Sequence, residues 1–149
     1  EQEIIYPGRN KGLMPGVSLL LERLAQLPDV VTGLLTGNFA RAAKIKLQYF
    51  GIWDYFVLGA YGDDAPLRDD LVPIAVSRAR ANNVVIASSA DTIVVGDTPL
   101  DVRCAIAGGA RSVAVCTGSY GESELWETGA DSVLPDLADS ERFLKLILG

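Results

Sequence analysis

Apolar residues along the chain follow two patterns that alternate. Residues 17–27 (VSLLLERLAQL) and 140–148 (SERFLKLIL) place apolar residues at the three- and four-residue spacing of an amphipathic helix. Residues 30–38 (VVTGLLTGN) and 91–96 (DTIVVG) hold short continuous apolar runs, which are typical of strands buried on both faces. The predicted helices are 17–27, 39–50, 68–81, 99–107, 122–128 and 140–148, and the predicted strands are 30–38, 55–58, 91–96, 112–115 and 132–134. This alternation predicts an α/β fold, a doubly wound parallel sheet covered by helices on both faces.

Composition and charge limit the kind of protein this can be. Of the 149 residues, 49% are hydrophobic and 21% charged, as expected of one globular domain with a substantial core. The net charge of -6 disfavours nucleic-acid binding, because phosphate backbones attract basic surfaces. The apolar stretches are too short to cross a bilayer, and the start Glu1-Gln2-Glu3 is not the basic region of a signal peptide. We therefore expect neither a nucleic-acid nor a membrane partner.

The absence of histidine and the scarcity of cysteine restrict the available chemistry. Without histidine, the chain has no His-based catalytic triad and no His-ligated zinc. Cys104 and Cys116 are the only cysteines, and they form neither a CxxC pair nor a disulfide framework, as is typical of cytoplasmic proteins. Catalysis would therefore depend on carboxylates, hydroxyls, lysine or arginine, backbone N–H groups and a hard metal ion.

The stretch GDTPLD places two carboxylates where a strand is predicted to end and a helix to begin. Asp97 follows the strand and Asp101 lies in the first helical turn. Ligands of parallel α/β sheets bind at the carboxyl ends of strands, and paired carboxylates suit Mg²⁺. The alternative is local, with Asp97 capping the helix and Asp101 favouring the positive end of its dipole. Because capping needs only one acid, the pair favours a metal site.

The stretch LLTGN combines a hydroxyl, a glycine and a predicted helix start. The Thr36 hydroxyl, Gly37 and the backbone N–H groups that follow could hold a phosphate oxygen, with Asn38 as the N-cap. Alternatively, Thr36 only ends a strand and Asn38 only caps a helix. The motif alone favours neither interpretation, but its place in the same α/β pattern as GDTPLD favours a phosphate pocket.

Arg68 is the cation candidate for such a pocket. A cation beside a bound phosphate would neutralise developing charge. Arg68 lies in the acidic stretch DDAPLRDD, and an exposed arginine in a solvated loop is the interpretation that residue chemistry alone favours.

LLTGN, Arg68 and GDTPLD, in this order, resemble motifs of the haloacid dehalogenase (HAD) superfamily, in particular its phosphoglycolate-phosphatase-like hydrolases. LLTGN resembles the second motif, and GDTPLD resembles the fourth, which supplies the Mg²⁺-site acids. Arg68 takes the place where the third motif usually has lysine. The resemblance runs from Met14 to the end of the chain and implies that Thr36 and Arg68 act in catalysis, that Thr36, Gly37 and Asn38 bind substrate, and that Asp97 and Asp101 bind the metal.

The resemblance also implies an activity and reveals a missing part. It implies Mg²⁺-dependent hydrolysis of a small phosphorylated metabolite, such as phosphoglycolate, through an aspartyl-phosphate. The family's first motif, DxDxT or DxDxS, does not occur before Thr36. We therefore expect residues 16–149 to form a Rossmann-like HAD core without its first, central strand and cap, and residues 1–15 to be a return linker from the cap. The missing strand would come from the N-terminal part of the same protein or from another chain, and this segment alone would be inactive.

Three other functions remain in view. A catalytically inactive HAD-like binding or regulatory protein would explain the missing first motif, but not the presence of the second and fourth. A receiver-like signalling domain would place its acidic pair after the first strand. A dinucleotide-binding domain needs G-x-G-x-x-G, which neither Gly108-Gly109 nor Gly118–Gly121 supplies.

Overall fold

The computed structural model describes residues 5–6, 12–13 and 16–148, in which strands and helices alternate from residue 17 onward. Three short 3-10 helices lie in the connections, at Trp53–Tyr55, Arg68–Asp70 and Ser89–Asp91. The strands are β1 (Ile5–Tyr6), β2 (Gly12–Leu13), β3 (Gly33–Leu35), β4 (Leu58–Ala60), β5 (Ile93–Gly96), β6 (Arg111–Val115) and β7 (Ser132–Leu134). The helices are α1 (Val17–Ala25), α2 (Ala40–Tyr49), α3 (Leu71–Ala81), α4 (Pro99–Ala107), α5 (Glu122–Glu127) and α6 (Ser140–Leu148).

The predicted α/β fold with parallel strands is confirmed, although the prediction of a strand at 55–58 is wrong. Trp53–Tyr55 form a 3-10 helix, and the Phe56 N–H donates to the Trp53 carbonyl. These local bonds occupy the backbone of the aromatic segment. Parallel pairing begins only at Val57, whose N–H donates to the Thr32 carbonyl.

The parallel sheet is in two parts. β3 pairs with β4, and β5, β6 and β7 pair in that order. Within the described residues, no strand pairs with the second edge of β3 or of β5. Two edges that carry the predicted second and fourth motifs therefore lack a strand partner in this part of the chain.

Shared hydrophobic clusters join the two parts into one layer. Leu34 of β3 packs in the same cluster as Val113 and Val115 of β6, under helices α1, α2 and α6. On the opposite face, Ala60 of β4 and Val94 of β5 lie in one cluster with α3 and α4. Strands of both parts therefore contribute to the core on both faces, as a doubly wound fold requires.

The first fifteen residues are described only at one antiparallel pair. Ile5 is in register with Leu13 and Tyr6 with Gly12, while the other positions of the predicted linker lie outside the described residues. The origin of residues 1–15 as a return from a cap stays a prediction. No helix in the described part of the chain is long and apolar enough to span a membrane.

Helix α2 offers a matched test of the core. Leu47 is fully buried, whereas Ile45 on the same helix is 59% exposed. We expect Leu47→Ala to lower the free energy of unfolding by about 2–5 kcal/mol, because it removes buried methyl groups and leaves a cavity. Ile45→Ala should change the free energy by less than about 0.5 kcal/mol in urea denaturation. Equal losses would contradict the packing described for α2.

Candidate functional site

The carboxyl ends of four strands meet at one edge of the layer. After β4, the Gly62 N–H donates to the carbonyl of Asn38, which follows β3. Further along the same connection, Arg68 contacts Asp101 in the helix that follows β5. These contacts bring the predicted site residues of three separate motifs to the same edge.

The phosphate loop, Thr36–Asn38, follows β3 directly. Thr36 is fully buried, its N–H donates to the Ala60 carbonyl at 3.1 Å, and its hydroxyl oxygen accepts the Asn38 N–H at 3.0 Å. The hydroxyl thus shapes the turn that starts α2. Gly62 packs so closely that a Cβ placed on it would overlap the Gly37 carbonyl oxygen. The loop after β4 therefore packs directly against the phosphate loop.

The prediction that Asn38 caps α2 is wrong. The N-cap residue is Phe39, in an extended conformation with no side-chain cap bond. The first orphan donor of the helix is instead satisfied from outside, because the Ala40 N–H donates to Asp63 Oδ1 at 3.1 Å. Sequence reasoning missed this role of Asp63, and the acidic pair after β4 was the only signal for it.

Arg68 lies in the 3-10 helix directly before α3, and its side chain is only 16% exposed. Its Nη2 lies 3.4 Å from Asp101 Oδ1, and the Cys104 thiol donates to its carbonyl. Its Nε is buried and has no hydrogen-bond partner among the described residues. The alternative of an exposed arginine in a solvated loop does not fit this burial.

Asp101 is both a helix-capping acid and the partner of Arg68. Its Oδ2 accepts the Thr98 N–H and the Thr98 hydroxyl, each at 3.0 Å, while its Oδ1 faces Arg68. Burial raises the pKa of Asp101, although the Arg68 charge and the bonds from Thr98 act in the opposite direction. Both carboxylate oxygens therefore have partners within the protein. The capping role that the local alternative gave to Asp97 belongs instead to Thr98 and Asp101, which form a capping box at the start of α4.

Asp97 is 2% exposed and stands at the end of β5, as predicted. A Cβ on Gly118, which follows β6, would overlap Asp97 Oδ2. The neighbouring Thr117 hydroxyl oxygen is buried and has no hydrogen-bond partner among the described residues. The Asp97 carboxylate therefore lies against the end of β6, while that of Asp101 lies against Gly96.

Within the described residues, no group of three or more histidine, cysteine, aspartate or glutamate side chains could hold a metal ion. Asp97 and Asp101 are the acids that the site itself offers. Their metal-binding role stays a prediction.

Comparison with protein families gives one match. Residues 72–140 match a family model described as HAD-hydrolase-like. The matched span includes Asp97 and Asp101 but not Thr36 or Arg68. The predicted resemblance to the HAD superfamily is confirmed. A comparison with curated proteins found no match.

Solved structures share this HAD-like fold. A haloacid dehalogenase-like hydrolase from Streptococcus pneumoniae is 19% identical, with a TM-score of 0.72 over 91% of this chain and 60% of its own. A predicted phosphoglycolate phosphatase from Haemophilus somnus is also 19% identical, with a TM-score of 0.75 over 91% and 58%. A hydrolase from Pseudomonas syringae is 25% identical, with a TM-score of 0.75 over 92% and 64%. The chain thus spans about three fifths of the length of these proteins.

The double role of Asp101 can be tested by removing its functions one at a time. Asp101→Ala should lower the free energy of unfolding by about 1–3 kcal/mol, because the part-buried Thr98 N–H and Arg68 lose their acceptor. Asp101→Asn should cost less, because its amide oxygen still accepts the Thr98 N–H, although Arg68 loses its charged partner in both variants. Urea denaturation measures both, and equal losses would contradict the capping role.

Proposed function

We propose that this chain forms most of the core of a Mg²⁺-dependent phosphomonoester hydrolase that acts on a small phosphorylated metabolite. The observation that carries the proposal is the arrangement of Thr36, Arg68, Asp97 and Asp101, which are buried or mostly buried at one sheet edge. Beside them lie two strand edges that have no strand partner within the described residues. Burying this many polar groups is costly, and a site that binds an anion and a cation would justify that cost.

The edges of β3 and β5 that have no strand partner within the described residues indicate where a further strand of the site would lie. Buried backbone N–H and C=O groups need partners, and Leu34 of β3 and Val94 of β5 are buried. One parallel strand between them would satisfy both edges and end between Thr36 and Asp97. Another part of the same protein, or another chain, would supply this strand. The resemblance places the nucleophilic aspartate at its carboxyl end.

Asp97 fits a magnesium ligand better than Asp101 does. Mg²⁺ takes one or two carboxylates together with waters and phosphate oxygens. Asp101 already engages Thr98 and Arg68, so its part is to hold the arginine and the start of α4, while Asp97 would contact the ion. When bound, Mg²⁺ supplies charge neutralisation between the anionic substrate and the attacking carboxylate.

Thr36 and Arg68 would bind the phosphoryl group. The Thr36 hydroxyl and the backbone at the start of α2 suit a phosphate oxygen. The buried Nε of Arg68, which lacks a partner among the described residues, is a donor that an anion would satisfy. The reaction would then be displacement at phosphorus by the nucleophilic aspartate, while the acid/base aspartate that the resemblance places in the same first motif protonates the leaving alcohol. Hydrolysis of the aspartyl-phosphate to inorganic phosphate would follow.

An inactive binding or regulatory protein is the second candidate. It is favoured by the absence of the first motif from this sequence. The two candidates differ in whether the intact protein, with any upstream region, hydrolyses phosphate esters. Phosphoglycolate is the first substrate to test, because one solved structure of the same fold is described as a phosphoglycolate phosphatase.

Removing the charge of Asp97 tests the metal role. In the intact protein, we expect phosphomonoester hydrolysis that needs Mg²⁺, and a loss of turnover by about two orders of magnitude or more in Asp97→Asn. The residues 1–149 alone should be inactive. Asp29→Asn is the control, because Asp29 is exposed in the connection before β3, at the opposite end of the strand. Wild-type activity in Asp97→Asn would refute the assignment, and an inactive intact wild type would favour the binding protein.

Replacing Thr36 tests the phosphate pocket. Thr36→Val keeps the shape but removes the hydroxyl, and should raise the inhibition constant of inorganic phosphate by about tenfold, or about 1.4 kcal/mol. Thr36→Ser keeps the hydroxyl and should stay within about threefold of wild type. If both variants bound phosphate equally well, Thr36 would have no direct role in binding.

A further inference from the structure

The loop after β4, residues 61–64, is held by an ion pair that the reaction itself does not use. Arg78 on α3 donates to both carboxylate oxygens of Asp64, at 2.7 and 2.8 Å. The same guanidinium donates to the Gly59 carbonyl of β4 at 2.7 Å. This fork connects α3, the end of β4 and the loop that follows it, and such bidentate pairs fix geometry more strictly than single bonds.

Asp64 also fixes its own loop through hydrogen bonds to Tyr61. Its Oδ2 accepts the Tyr61 N–H at 2.8 Å, and its N–H donates to the Tyr61 carbonyl at 2.9 Å. The hydrogen bonds from Arg78 hold the pKa of Asp64 below its ordinary value, so the carboxylate is ionised at neutral pH. The turn from residue 61 to 64 therefore has one defined shape.

Two contacts carry that shape to the phosphate loop. The Gly62 N–H donates to the Asn38 carbonyl at 2.8 Å, with no space for a Cβ against Gly37. Asp63 accepts the Ala40 N–H and so holds the start of α2. Gly62, which touches the phosphate loop, and Asp63, which holds the start of α2, thus both lie inside the turn that Asp64 and Arg78 hold.

We propose that Arg78 and Asp64 are positioning residues for phosphate binding, which set the place of Thr36–Asn38 through Gly62 and Asp63. The inference rests on the proposed function for the identity of the ligand. Neither residue contacts the ligand. Their effect is on how often the phosphate loop has its binding geometry before the anion arrives.

The test uses the intact protein with Arg78→Lys and Asp64→Asn, made singly and together. Each single variant keeps some of the hydrogen bonds, so the fold should survive, but the two-pronged contact is lost. We expect each to raise the KM for a phosphomonoester and the inhibition constant of inorganic phosphate by about tenfold, with the double variant no worse than the more affected single one. Neither constant depends on the fraction of folded enzyme, so a role in stability alone would not move them.

The matched control is Glu141→Gln. Glu141 also forms an ion pair with an arginine, Arg23 at 2.5 Å. This pair joins α6 to α1, whereas the Asp64–Arg78 pair joins α3 to the loop after β4. Glu141→Gln should leave both constants unchanged. Normal phosphate inhibition in Arg78→Lys and Asp64→Asn, while Thr36→Val weakens it, would overturn the positioning role and leave the proposed function intact. An intact wild type that neither binds inorganic phosphate nor hydrolyses esters would overturn both.

Discussion

The two backbone edges of β3 and β5 set the constraint on which the rest of the structure depends. Residues of both strands pack against helices on the two faces of the layer, and the backbone N–H and C=O groups at these edges need hydrogen-bond partners. A parallel strand would join the two parts of the sheet with hydrogen bonds on either side. The carboxyl end of such a strand would lie between the phosphate loop and Asp97. Completing the sheet and completing the site are therefore one event in the proposed protein.

Charge burial follows from this arrangement. Asp97, Asp101 and Arg68 have little contact with solvent, and Arg68 lies beside the Asp101 carboxylate. The Thr98 bonds and the Arg68 charge stabilise the ionised form of Asp101, but burial outweighs them and raises its pKa. Such a site gains more from an arriving cation and anion than an exposed site would, because the low dielectric strengthens each interaction. The free-energy cost of burying these charged side chains would therefore be offset when the proposed ligands bind.

Local patterns predicted some of these features well. The sequence pattern predicts a helix over residues 99–107, and α4 occupies those residues. Thr36 and Asp97 also follow β3 and β5, as their positions after apolar runs predict. In each case the information lies within a few neighbouring residues, in capping chemistry, proline geometry or hydrophobic period.

Contacts between distant residues could not be predicted in the same way. Asp63 accepts the Ala40 N–H at the start of α2, 23 residues away in the sequence. Arg78 donates to the carboxylate of Asp64, which lies 14 residues earlier. The segment at 55–58 has aromatic residues typical of a strand, yet local turn bonds compete for the same backbone groups. An acidic stretch such as DDAPLRDD has the same composition whether its charges are solvated or paired, since only the fold decides which arginine reaches which acid.

That distinction explains why the two acids of GDTPLD should not be treated as one pair. Asp101 accepts the Thr98 N–H at the start of α4 and faces Arg68, so it has a structural task. Asp97 lies buried at the end of β5, with its carboxylate against Gly118. Burying an acid costs free energy that an apolar side chain at the same place would not cost. In the proposed function, binding of Mg²⁺ by the Asp97 carboxylate would offset that cost, whereas Asp101 keeps its structural task without the ion. The two acids of one motif would therefore differ in what they do, although their spacing in the sequence gives no sign of it.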